Sequence, residues 1–533
     1  MKQLLLFLSI LSINITCAQK LTSSTSSINF GDTYEITPNT ISLTISNPES
    51  FDIDIKSIRF YSIYKDTAFS ANISSGTVSA AGNLQIDVTF APKHNVPYNT
   101  EMVIATSNGG SLSIDLQGQG KYSKTYYAAS ENKSEEDLKQ TLKTIISANY
   151  ITLGYSPARD EMFMDIDNMM VNGQGATQNR LETAYTGNII SGYTSRTDAQ
   201  NQGVNTEHTF PQSYFNSSEP MRSDIHHLFI CDANANSERS NLPFGNVTTP
   251  PTWSVGGSKK GIGIFEPRDE QKGSTARAMM YFVIRYQDYS GFYFAQKDVM
   301  REWNENFLPD AVEQKRNDDT EDIQQNRNPF IDYPQLANRI TSFATNSIEA
   351  SNPQIDTIEG YINYGFIPAG PNEYNYVIHN NGNEPVTFSN FSTSTDLTIT
   401  NPSSSSTLQP VESLNLKAEI NLSNTSPYSG FIIFNTDISG VPGFYVPVYA
   451  NSTNIGVKEY DFVNFSLSPN PAKKQINIEL ETQNNTLFIY NITGELVLSK
   501  DVFKGSNNIN LSTLSKGSYF VKIGNRTEKL IIE

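Results

Sequence analysis

Short runs that alternate apolar and polar residues, separated by turn clusters, constrain the fold of this chain more than any other feature of its sequence. Leu84-Gln85-Ile86-Asp87-Val88 is such a run within residues 21–121, and Ser46-Asn47-Pro48 is one of the turn clusters. The pattern recurs over residues 350–452, for example in Phe431-Ile432-Ile433-Phe434. Alternation buries one face of a strand and exposes the other. We therefore predict a β-sandwich in each range.

Residues 123–345, between these two ranges, have a different pattern. Glu135–Ile146 places apolar residues at helical spacing after Ser134, a suitable N-cap, and Ala276–Tyr286 predicts a second helix. A chain of 533 residues is too long for one core, and about 150 residues per domain suggests three or four domains. We therefore predict a multidomain protein with an α+β domain between the two sandwiches.

The N-terminus predicts export. Lys2 precedes a mostly apolar run from Leu4 to Ile15, and Thr16-Cys17-Ala18 is similar to a small-residue cleavage site, so residues 1–18 are interpreted as a signal peptide. In an alternative interpretation Cys17 is the acylated residue of a lipoprotein. After cleavage at Ala18 only Cys231 remains, so no internal disulfide is expected. We expect no transmembrane anchor, since this run is too short to span a bilayer and no other segment is apolar enough.

The net charge of −17 argues against a protein that coats nucleic acid through its overall charge. It leaves open an enzyme with a locally basic cleft, because net charge affects solubility and non-specific association rather than chemistry.

Three of the five histidines lie close together in the central range. They are His208, His226 and His227, whereas His94 and His379 fall in the sandwiches and are predicted to be surface or turn residues. Glu207 and His208 are adjacent, and neighbours on a strand point to opposite faces. A bend or bulge would be needed to direct both side chains into one site.

A second motif follows the first. Asp224, His226 and His227 precede residues 232–241, and a helix there would place Asn236 and Arg239 three residues apart on one face. Hydrolysis of a phosphodiester needs an activated water and neutralisation of charge on the phosphate. A neutral imidazole takes up a proton near pH 7, and carboxylate and amide oxygens bind hard divalent cations. His208, Glu207 and Asn236 supply these groups.

At these residues the chain resembles the endonuclease I family of secreted and periplasmic bacterial nucleases, which have a ββα-metal fold. The matching segments, in order, are Glu207-His208, Pro211-Gln212-Ser213, Asp224, His226, Leu228, Asn236, Arg239, Asn241, Phe265-Glu266-Pro267-Arg268-Asp269, Lys272-Gly273, Ala276-Arg277-Ala278, Tyr281-Phe282, Trp303-Asn304, Glu313, Arg316-Asn317 and Gln325 to Asp332. The resemblance implies that His208 is the general base and that Glu207 and Asn236 bind one Mg²⁺, completed by water and phosphate. It also implies non-specific cleavage of DNA, and often of RNA, leaving 5′-phosphate ends. Some family members contain several disulfides, which the mature chain cannot form.

Two further resemblances concern the flanking ranges. Phe90-Ala91-Pro92 and Gly118-Gln119-Gly120 are similar to immunoglobulin-like modules of bacterial surface proteins. Residues 460–533, from Ser468-Pro469-Asn470-Pro471 to Lys529-Leu530-Ile531-Ile532, resemble the C-terminal sorting domain of type IX secretion substrates. That resemblance implies the type IX secretion machinery as a partner, and a product that is secreted or attached to the cell surface.

Several roles stay open from the sequence alone. His226 or His227 either ligates or orients the groups around a metal, or serves packing and outer hydrogen bonding. Asp224 either holds a ring nitrogen of a nearby histidine or caps a turn. The alternative for His208 is a buried histidine that hydrogen-bonds a carbonyl, for Glu207 a surface carboxylate, and for Asn236 a helix-capping or turn residue. The candidates for phosphate binding are Arg239, the best placed, and then Arg268, Arg277 and Arg327, each with a salt bridge as the alternative. The acidic run at 318–322 is predicted to be a solvated turn. Ca²⁺ or Mn²⁺ could replace Mg²⁺.

Two other functions compete with a nuclease. One is a surface-binding or adhesive protein whose nuclease-like domain is inactive, which the flanking sandwiches favour. The other is an enzyme that acts on a small phosphodiester. The intact set of Glu207, His208 and Asn236 counts against the first, and the arginines scattered downstream of it suit a long polyanion better than a small substrate.

Overall fold

The computed structural model describes residues 21–533, apart from residues 62–63, 65, 67, 107–109, 288–290, 358–359, 440, 442, 453–464, 481–484, 492–495 and 524–525. The predicted signal peptide, residues 1–18, lies outside the described residues. The described part is a mixed α/β multidomain structure, with helices concentrated between residues 125 and 339 and sheets on both sides of them.

The N-terminal unit consists of two sheets that share one hydrophobic core. Its strands are β1 (Thr22–Ser23), β2 (Ser27–Tyr34), β3 (Asn39–Ser46), β4 (Ile53–Phe60), β5 (Phe69–Ala71), β6 (Gly76–Val78), β7 (Asn83–Phe90), β8 (Pro97–Thr106) and β9 (Ser111–Lys121). The sheets have the orders β1-β3-β7-β5 and β2-β9-β8-β4-β6. Ile45 and Ile86 of the first sheet and Ile104 and Leu116 of the second are fully buried in the shared core.

The second β unit repeats this arrangement. Its strands are β17 (Ile355–Thr357), β18 (Ile362–Asn363), β19 (Gly370–Asn380), β20 (Val386–Thr393), β21 (Leu397–Asn401), β22 (Ser406–Leu408), β23 (Ser413–Leu422), β24 (Tyr428–Thr436) and β25 (Gly443–Ala450). They form sheets of order β17-β19-β23-β21 and β18-β25-β24-β20-β22 around one core. The immunoglobulin-like character of the two units stays a prediction. His94 and His379 are 1% and 0% exposed, so a surface position is wrong for both. His94 lies in the bend at residues 93–96 and His379 in strand β19, and each ring packs against a tyrosine.

The C-terminal unit is a small β structure. Its strands are β26 (Phe465–Ser468), β27 (Gln475–Leu480), β28 (Asn485–Asn491), β29 (Leu496–Val502), β30 (Gly505–Asn510), β31 (Gly517–Ile523) and β32 (Arg526–Ile532). Two sheets, β26-β27-β30 and β29-β28-β31-β32, enclose a core that includes Ile476, Ile489 and Val521.

The central unit contains the helices. They are α1 (Glu135–Ser147), α2 (Tyr155–Glu161), α3 (Arg196–Asn201), α4 (Ala233–Arg239), α5 (Asp269–Tyr286), α6 (Gly291–Phe294), α7 (Lys297–Asn306), α8 (Ala311–Gln324) and α9 (Pro329–Asp332). Its strands are β10 (Arg180–Glu182), β11 (Ile189–Ser191), β12 (Val204–His208), β13 (Leu228–Asp232), β14 (Trp253–Val255), β15 (Ser258–Lys260) and β16 (Phe265–Glu266). Among the described helices, none combines the length and the apolar character needed to cross a lipid bilayer.

Helix α5 is the axis of the central core. Its residues from Gln271 to Arg285 are almost all buried, and it ends where Gln287 takes a left-handed conformation with φ 48°. The predicted helix over Ala276–Tyr286 is therefore confirmed and begins a turn or two earlier. The acidic run at 318–322 was expected to be a turn, but it lies in α8. The Asp310 side chain accepts a hydrogen bond from Glu313 N (2.8 Å) and caps that helix at its start.

Strands β12 and β13 and helix α4 form a continuous ββα unit. The two strands are antiparallel, and their register runs unbroken from Val204 opposite Asp232 to His208 opposite Leu228. No bulge interrupts these residues, so the bulge that could direct both side chains into one site is not found. Their side chains leave opposite faces at the end of a regular strand, and each meets different partners.

Candidate active site

A buried ion pair joins the end of strand β12 to helix α4. Arg239 Nη1 lies 2.9 Å from Glu207 Oε1, and the Tyr185 hydroxyl donates to the same oxygen at 2.8 Å. Arg239 and Glu207 are only 1% and 2% exposed. Burial raises the pKa of Glu207, while the Arg239 guanidinium and the Tyr185 hydroxyl oppose that shift. The carboxylate is therefore held by charge and hydrogen bonding in a site of low solvent access.

Arg239 also fixes the backbone next to this carboxylate. Its Nη1 donates to the carbonyl of His208 (3.1 Å), its Nη2 donates to that of Thr209 (2.6 Å), and its guanidinium lies 4.4 Å from the ring centroid of Phe244. These contacts hold the end of strand β12 in place. The geometry favours positioning of Glu207 and His208 over the phosphate contact expected for Arg239.

The imidazole of His208 is oriented by a backbone carbonyl. Its Nε2 lies 3.0 Å from the carbonyl oxygen of Arg222. A carbonyl only accepts hydrogen bonds, so Nε2 carries the proton and the lone pair of Nδ1 is left for another partner. Burial, assisted by the neighbouring His227 ring, lowers the pKa of His208 to about 3. The ring is therefore neutral at physiological pH.

Asn236 is tied to the same strand from helix α4. Its Nδ2 donates to Asn205 Oδ1 (2.8 Å) and to the carbonyl of Thr206 (3.3 Å), which leaves Oδ1 available for another ligand. The N-cap of α4 is Asp232, and Asn236 lies in the middle of the helix. Asn236 therefore does not cap helix α4.

The donor set of these residues fits one hard cation with few protein ligands. No group of three His, Cys, Asp or Glu side chains suited to a metal occurs in the described part of the chain. The ββα unit offers a carboxylate from Glu207 and an amide oxygen from Asn236. Ions such as Mg²⁺ commonly keep several waters and take one or two protein oxygens, which matches this pair.

Asp224 contacts α5 and α8 rather than a histidine ring. Its Oδ2 accepts from the hydroxyls of Tyr281 (2.8 Å) and Tyr286 (2.7 Å), and its Oδ1 accepts from Gln324 Nε2 (3.1 Å). Asp224 is fully buried, and Arg285 Nε lies 3.6 Å away. Its Oδ1 also accepts from His226 N (3.2 Å), so Asp224 caps the 3₁₀ turn Ile225–His227, which is the turn-capping alternative.

The other two histidines of the central unit bond to backbone as well. His226 Nε2 lies 3.0 Å from the carbonyl of Asn326, and His227 Nε2 lies 2.6 Å from that of Met221. Burial lowers the pKa of both rings, that of His226 to about 4. They anchor the segment between β12 and β13, which also carries the Arg222 carbonyl that orients His208.

These neutral rings predict acid sensitivity. Their folded pKa values lie below the ordinary value of about 6.5, so the unfolded chain takes up protons first as the pH falls. Above pH 6.5 both the folded and the unfolded chain hold these rings neutral. As the pH falls below 6.5 the free energy of unfolding decreases, by about 2 kcal/mol at pH 5 for a ring such as His226. The raised pKa of Glu207 acts in the opposite direction.

Thermal unfolding followed between pH 7.5 and 5 measures this effect. We expect the central unit of wild-type protein to lose stability over this range, and His226→Gln, which keeps a donor for the Asn326 carbonyl, to lose about 2 kcal/mol less. An unfolding temperature that does not change with pH, or an unchanged pH dependence in His226→Gln, would contradict the assignment of neutral rings.

The remaining arginine candidates are engaged in internal ion pairs. Arg277 pairs with Glu313 at 2.5 Å, Arg268 pairs with Glu182 (2.5 Å) and Glu270 (3.1 Å), and Arg327 pairs with Asp318, Glu321 and Asp332 at 2.6–2.7 Å. Arg277 and Arg327 are also buried. Their carboxylate partners compete with phosphate, which disfavours the substrate contacts that the sequence suggested for these three arginines.

Three residues near His208 were missed by sequence reasoning. The ring of Tyr155 lies 5.5 Å from that of His208, and the guanidinium groups of Arg159 and Arg222 lie over the Tyr155 ring. Tyr155 and Arg159 are separated from His208 by about fifty positions of sequence. No spacing rule links such distant positions, and only the tertiary fold reveals this cluster.

Strand β12 ends in the buried carboxylate of Glu207 and the imidazole of His208, and helix α4 carries the half-buried amide of Asn236. The model of the family described as Endonuclease I matches residues 134–335. A secretion system C-terminal sorting domain matches residues 466–533.

Two curated relatives are similar over the same part of the chain. An extracellular ribonuclease of Bacillus subtilis (strain 168) is 31% identical over 292 residues, which cover 50% of this chain and 94% of the relative. An extracellular ribonuclease of Bacillus amyloliquefaciens is 32% identical over 240 residues, covering 40% of this chain and 78% of the relative. The chain belongs to the endonuclease I family. It is a nuclease that is secreted or attached to the cell surface.

Among solved structures, the ASH/PapD-like domain of human CEP192 matches 23% of this chain and all of that chain at 15% identity, with a TM-score of 0.18. A likeness of that size supports no conclusion about this chain.

Proposed function

We propose that this protein hydrolyses phosphodiester bonds in RNA and DNA with His208 as the general base and one divalent cation bound by Glu207 and Asn236. The observation that carries the proposal is the position of His208 in the ββα unit, at the end of the strand that also holds Glu207 and that is paired with the strand leading into the helix of Asn236. The hydrogen bond between Nε2 and the Arg222 carbonyl leaves Nδ1 as the basic nitrogen.

His208 would take a proton from the attacking water through Nδ1. In the free protein its pKa of about 3 keeps the ring neutral but makes it a weak base. An incoming phosphate brings negative charge next to the ring, and nearby negative charge raises the pKa of an imidazole. The phosphate charge favours protonation of His208, and the Arg222 carbonyl stabilises the imidazolium that forms.

Glu207 and Asn236 supply the oxygen ligands for the cation. A bound divalent cation would neutralise charge on the phosphate and on the departing oxygen. Arg239 holds Glu207 through one carboxylate oxygen, and Asn205 holds the amide nitrogen of Asn236, so both ligands are fixed in advance. We propose Mg²⁺ as the ion, with Ca²⁺ and Mn²⁺ as the alternatives to compare.

Both nucleic acids are proposed as substrates. The two curated relatives carry the name extracellular ribonuclease, which supports RNA. A mechanism that activates water does not need the 2′-hydroxyl of RNA, and this supports DNA as well. The exported chain would act on nucleic acid outside the cell.

Analysis of the cleaved ends tests this mechanism. Purified protein is expected to fragment plasmid DNA and ribosomal RNA and to leave 5′-phosphates on both. Ends of RNA that carry 2′,3′-cyclic phosphate would contradict water activation, because they require attack by the 2′-hydroxyl. Binding of both substrates without fragmentation would instead support the surface-binding function with an inactive nuclease domain.

We also propose the domain division that the sequence suggests. It comprises a signal peptide over residues 1–18, β-sandwiches over 21–121 and 350–452, the nuclease domain over 123–345 and the sorting domain over 460–533. Contacts between neighbouring units support a fixed placement of the nuclease domain. Arg339 Nη1 donates to Asn95 Oδ1 of the first sandwich at 2.6 Å, and the Tyr333 hydroxyl donates to Glu35 at 2.9 Å.

A further inference from the structure

Two arginines stack on one tyrosine beside the candidate general base. The Cζ of Arg159 lies 4.0 Å from the ring centroid of Tyr155, and that of Arg222 lies 4.2 Å from the same centroid. The Tyr155 ring is 5.5 Å from the ring of His208. We name Tyr155, Arg159 and Arg222 the arginine–tyrosine stack.

Local structure explains how the stack forms. Tyr155 and Arg159 are the first and fifth residues of α2, so their side chains lie one turn apart on the same helix face. Arg222 lies in the single 3₁₀ turn Met221–Ser223, whose Arg222 carbonyl orients His208. One residue thus holds the candidate base with its backbone and presents its guanidinium next to that base.

Neither guanidinium of the stack has a carboxylate partner within salt-bridge distance among the residues that the structure describes. Arg159 Nε makes a long contact of 3.4 Å with the Tyr155 carbonyl, and Arg222 Nε is buried without a hydrogen-bond partner. Asp160, the acidic residue adjacent to Arg159, pairs with Arg196 at 3.3 Å. By contrast, Arg277 and Arg327 of the same domain are paired with carboxylates.

The stack therefore holds two guanidinium groups without carboxylate partners against a ring that neighbours His208, in a chain with a net charge of −17. Guanidinium groups bind phosphate oxygens in a two-point fashion, and stacking on an aromatic ring fixes the plane of the group before a ligand arrives. All three side chains are partly exposed, so a ligand can reach them.

We propose that the arginine–tyrosine stack binds a backbone phosphate of the nucleic-acid substrate next to the bond that is cleaved. This inference rests on the proposed function and adds a substrate subsite to it. Contacts to the phosphate backbone carry no base information, so the subsite holds the strand against His208 without regard to sequence. It also supplies the local positive charge that the chain as a whole lacks.

Binding without cleavage tests the subsite separately from catalysis. In a His208→Ala background with Mg²⁺, the affinity for a fluorescein-labelled DNA duplex is measured by anisotropy over a range of NaCl concentrations, and the intact probe is verified on a gel. Arg159→Gln, Arg222→Gln and the double variant are compared with Lys315→Gln. Lys315 is an exposed residue of α8 that pairs with Asp319 and serves as the charge-matched control.

We expect each arginine variant to weaken binding by about tenfold at low salt. The double variant should also lower the slope of log affinity against log salt, by about one for each phosphate that the protein no longer binds. Lys315→Gln should behave as the background does. Tyr155→Phe should retain binding because the ring remains, whereas Tyr155→Ala should weaken it like the arginine variants.

Two different failures can be told apart. If the His208→Ala protein binds the duplex and the arginine variants match it in affinity and salt slope, the subsite is wrong and the nuclease function stands. If the His208→Ala protein does not bind nucleic acid at all, the proposed function fails and the subsite fails with it.

Discussion

Replacement of His208 by alanine is expected to lower the rate of plasmid hydrolysis by about 10³-fold, within the range that a general base contributes. In His208 the bond from Nε2 to the Arg222 carbonyl leaves the lone pair of Nδ1 free, and the substitution removes this nitrogen. The Glu207–Arg239 ion pair stays in place. The initial rate of conversion of supercoiled plasmid to nicked form, at saturating Mg²⁺, measures the decrease.

His208→Gln separates the chemical role of His208 from its structural one. A glutamine amide can still donate to the Arg222 carbonyl, but it has no basic nitrogen. We expect His208→Gln to be as inactive as His208→Ala and to unfold at nearly the wild-type temperature. His379→Gln is the matched control and should keep the wild-type rate. His379 is a buried histidine of the second β unit, and its ring stacks on that of Tyr61. Activity of His208→Gln within tenfold of wild type would contradict the assignment of the base.

The ββα unit could be anticipated from sequence through the family resemblance, and some of its local signals agree with that. Strand β12 is short and ends before Pro211, and Asn236 and Arg239 are three residues apart, which places them on one face of any helix over this stretch. The structure has a helix over Ala233–Arg239, so the condition for this placement is met. The match to the Endonuclease I model over residues 134–335 confirms the family resemblance as well.

The phosphate contacts suggested for the arginines were less reliable predictions. The group that an arginine binds is decided by contacts between elements that are distant in sequence. The carboxylate of Glu313, which pairs with Arg277, lies on a different helix 36 positions away in sequence. Arg239 points inward to Glu207, whereas Arg222, which no motif singled out, stacks on Tyr155 beside His208. Sequence spacing predicts which residues share a helix face, but not which charges are neutralised by distant elements.

Histidine burial was missed for a similar reason. His94 and His379 fall in the sandwiches and were predicted to be surface or turn residues. Both rings are instead covered by contacts between elements far apart in sequence, such as Tyr61 on His379 with 3.4 Å between centroids. A single polar residue in a strand gives no local signal of whether a neighbouring unit will cover it.

Removal of divalent cations is expected to abolish hydrolysis, and weakening of one ligand is expected to shift the cation dependence. Glu207→Gln is a poor probe of this effect. It would leave the buried Arg239 without its counter-charge, and a broken buried pair costs about 3–5 kcal/mol of stability. Asn236→Ala is cleaner, because Asn236 is half-buried and its amide nitrogen bonds to two neutral partners, Asn205 and Thr206. We expect it to raise the half-saturating Mg²⁺ concentration by about tenfold or more.

The proposed cation site is tested most directly by the initial rate of plasmid hydrolysis as a function of free Mg²⁺, starting from chelated protein, for wild type, Asn236→Ala and Asn234→Ala. Asn234 is an exposed residue of the same helix and is the matched control. We expect no hydrolysis in chelator, saturable recovery in wild type, a curve for Asn234→Ala that coincides with it, and a curve for Asn236→Ala displaced to higher Mg²⁺. Hydrolysis that persists in chelator, or coincident curves for Asn236→Ala and wild type, would contradict a cation held by Glu207 and Asn236 beside His208.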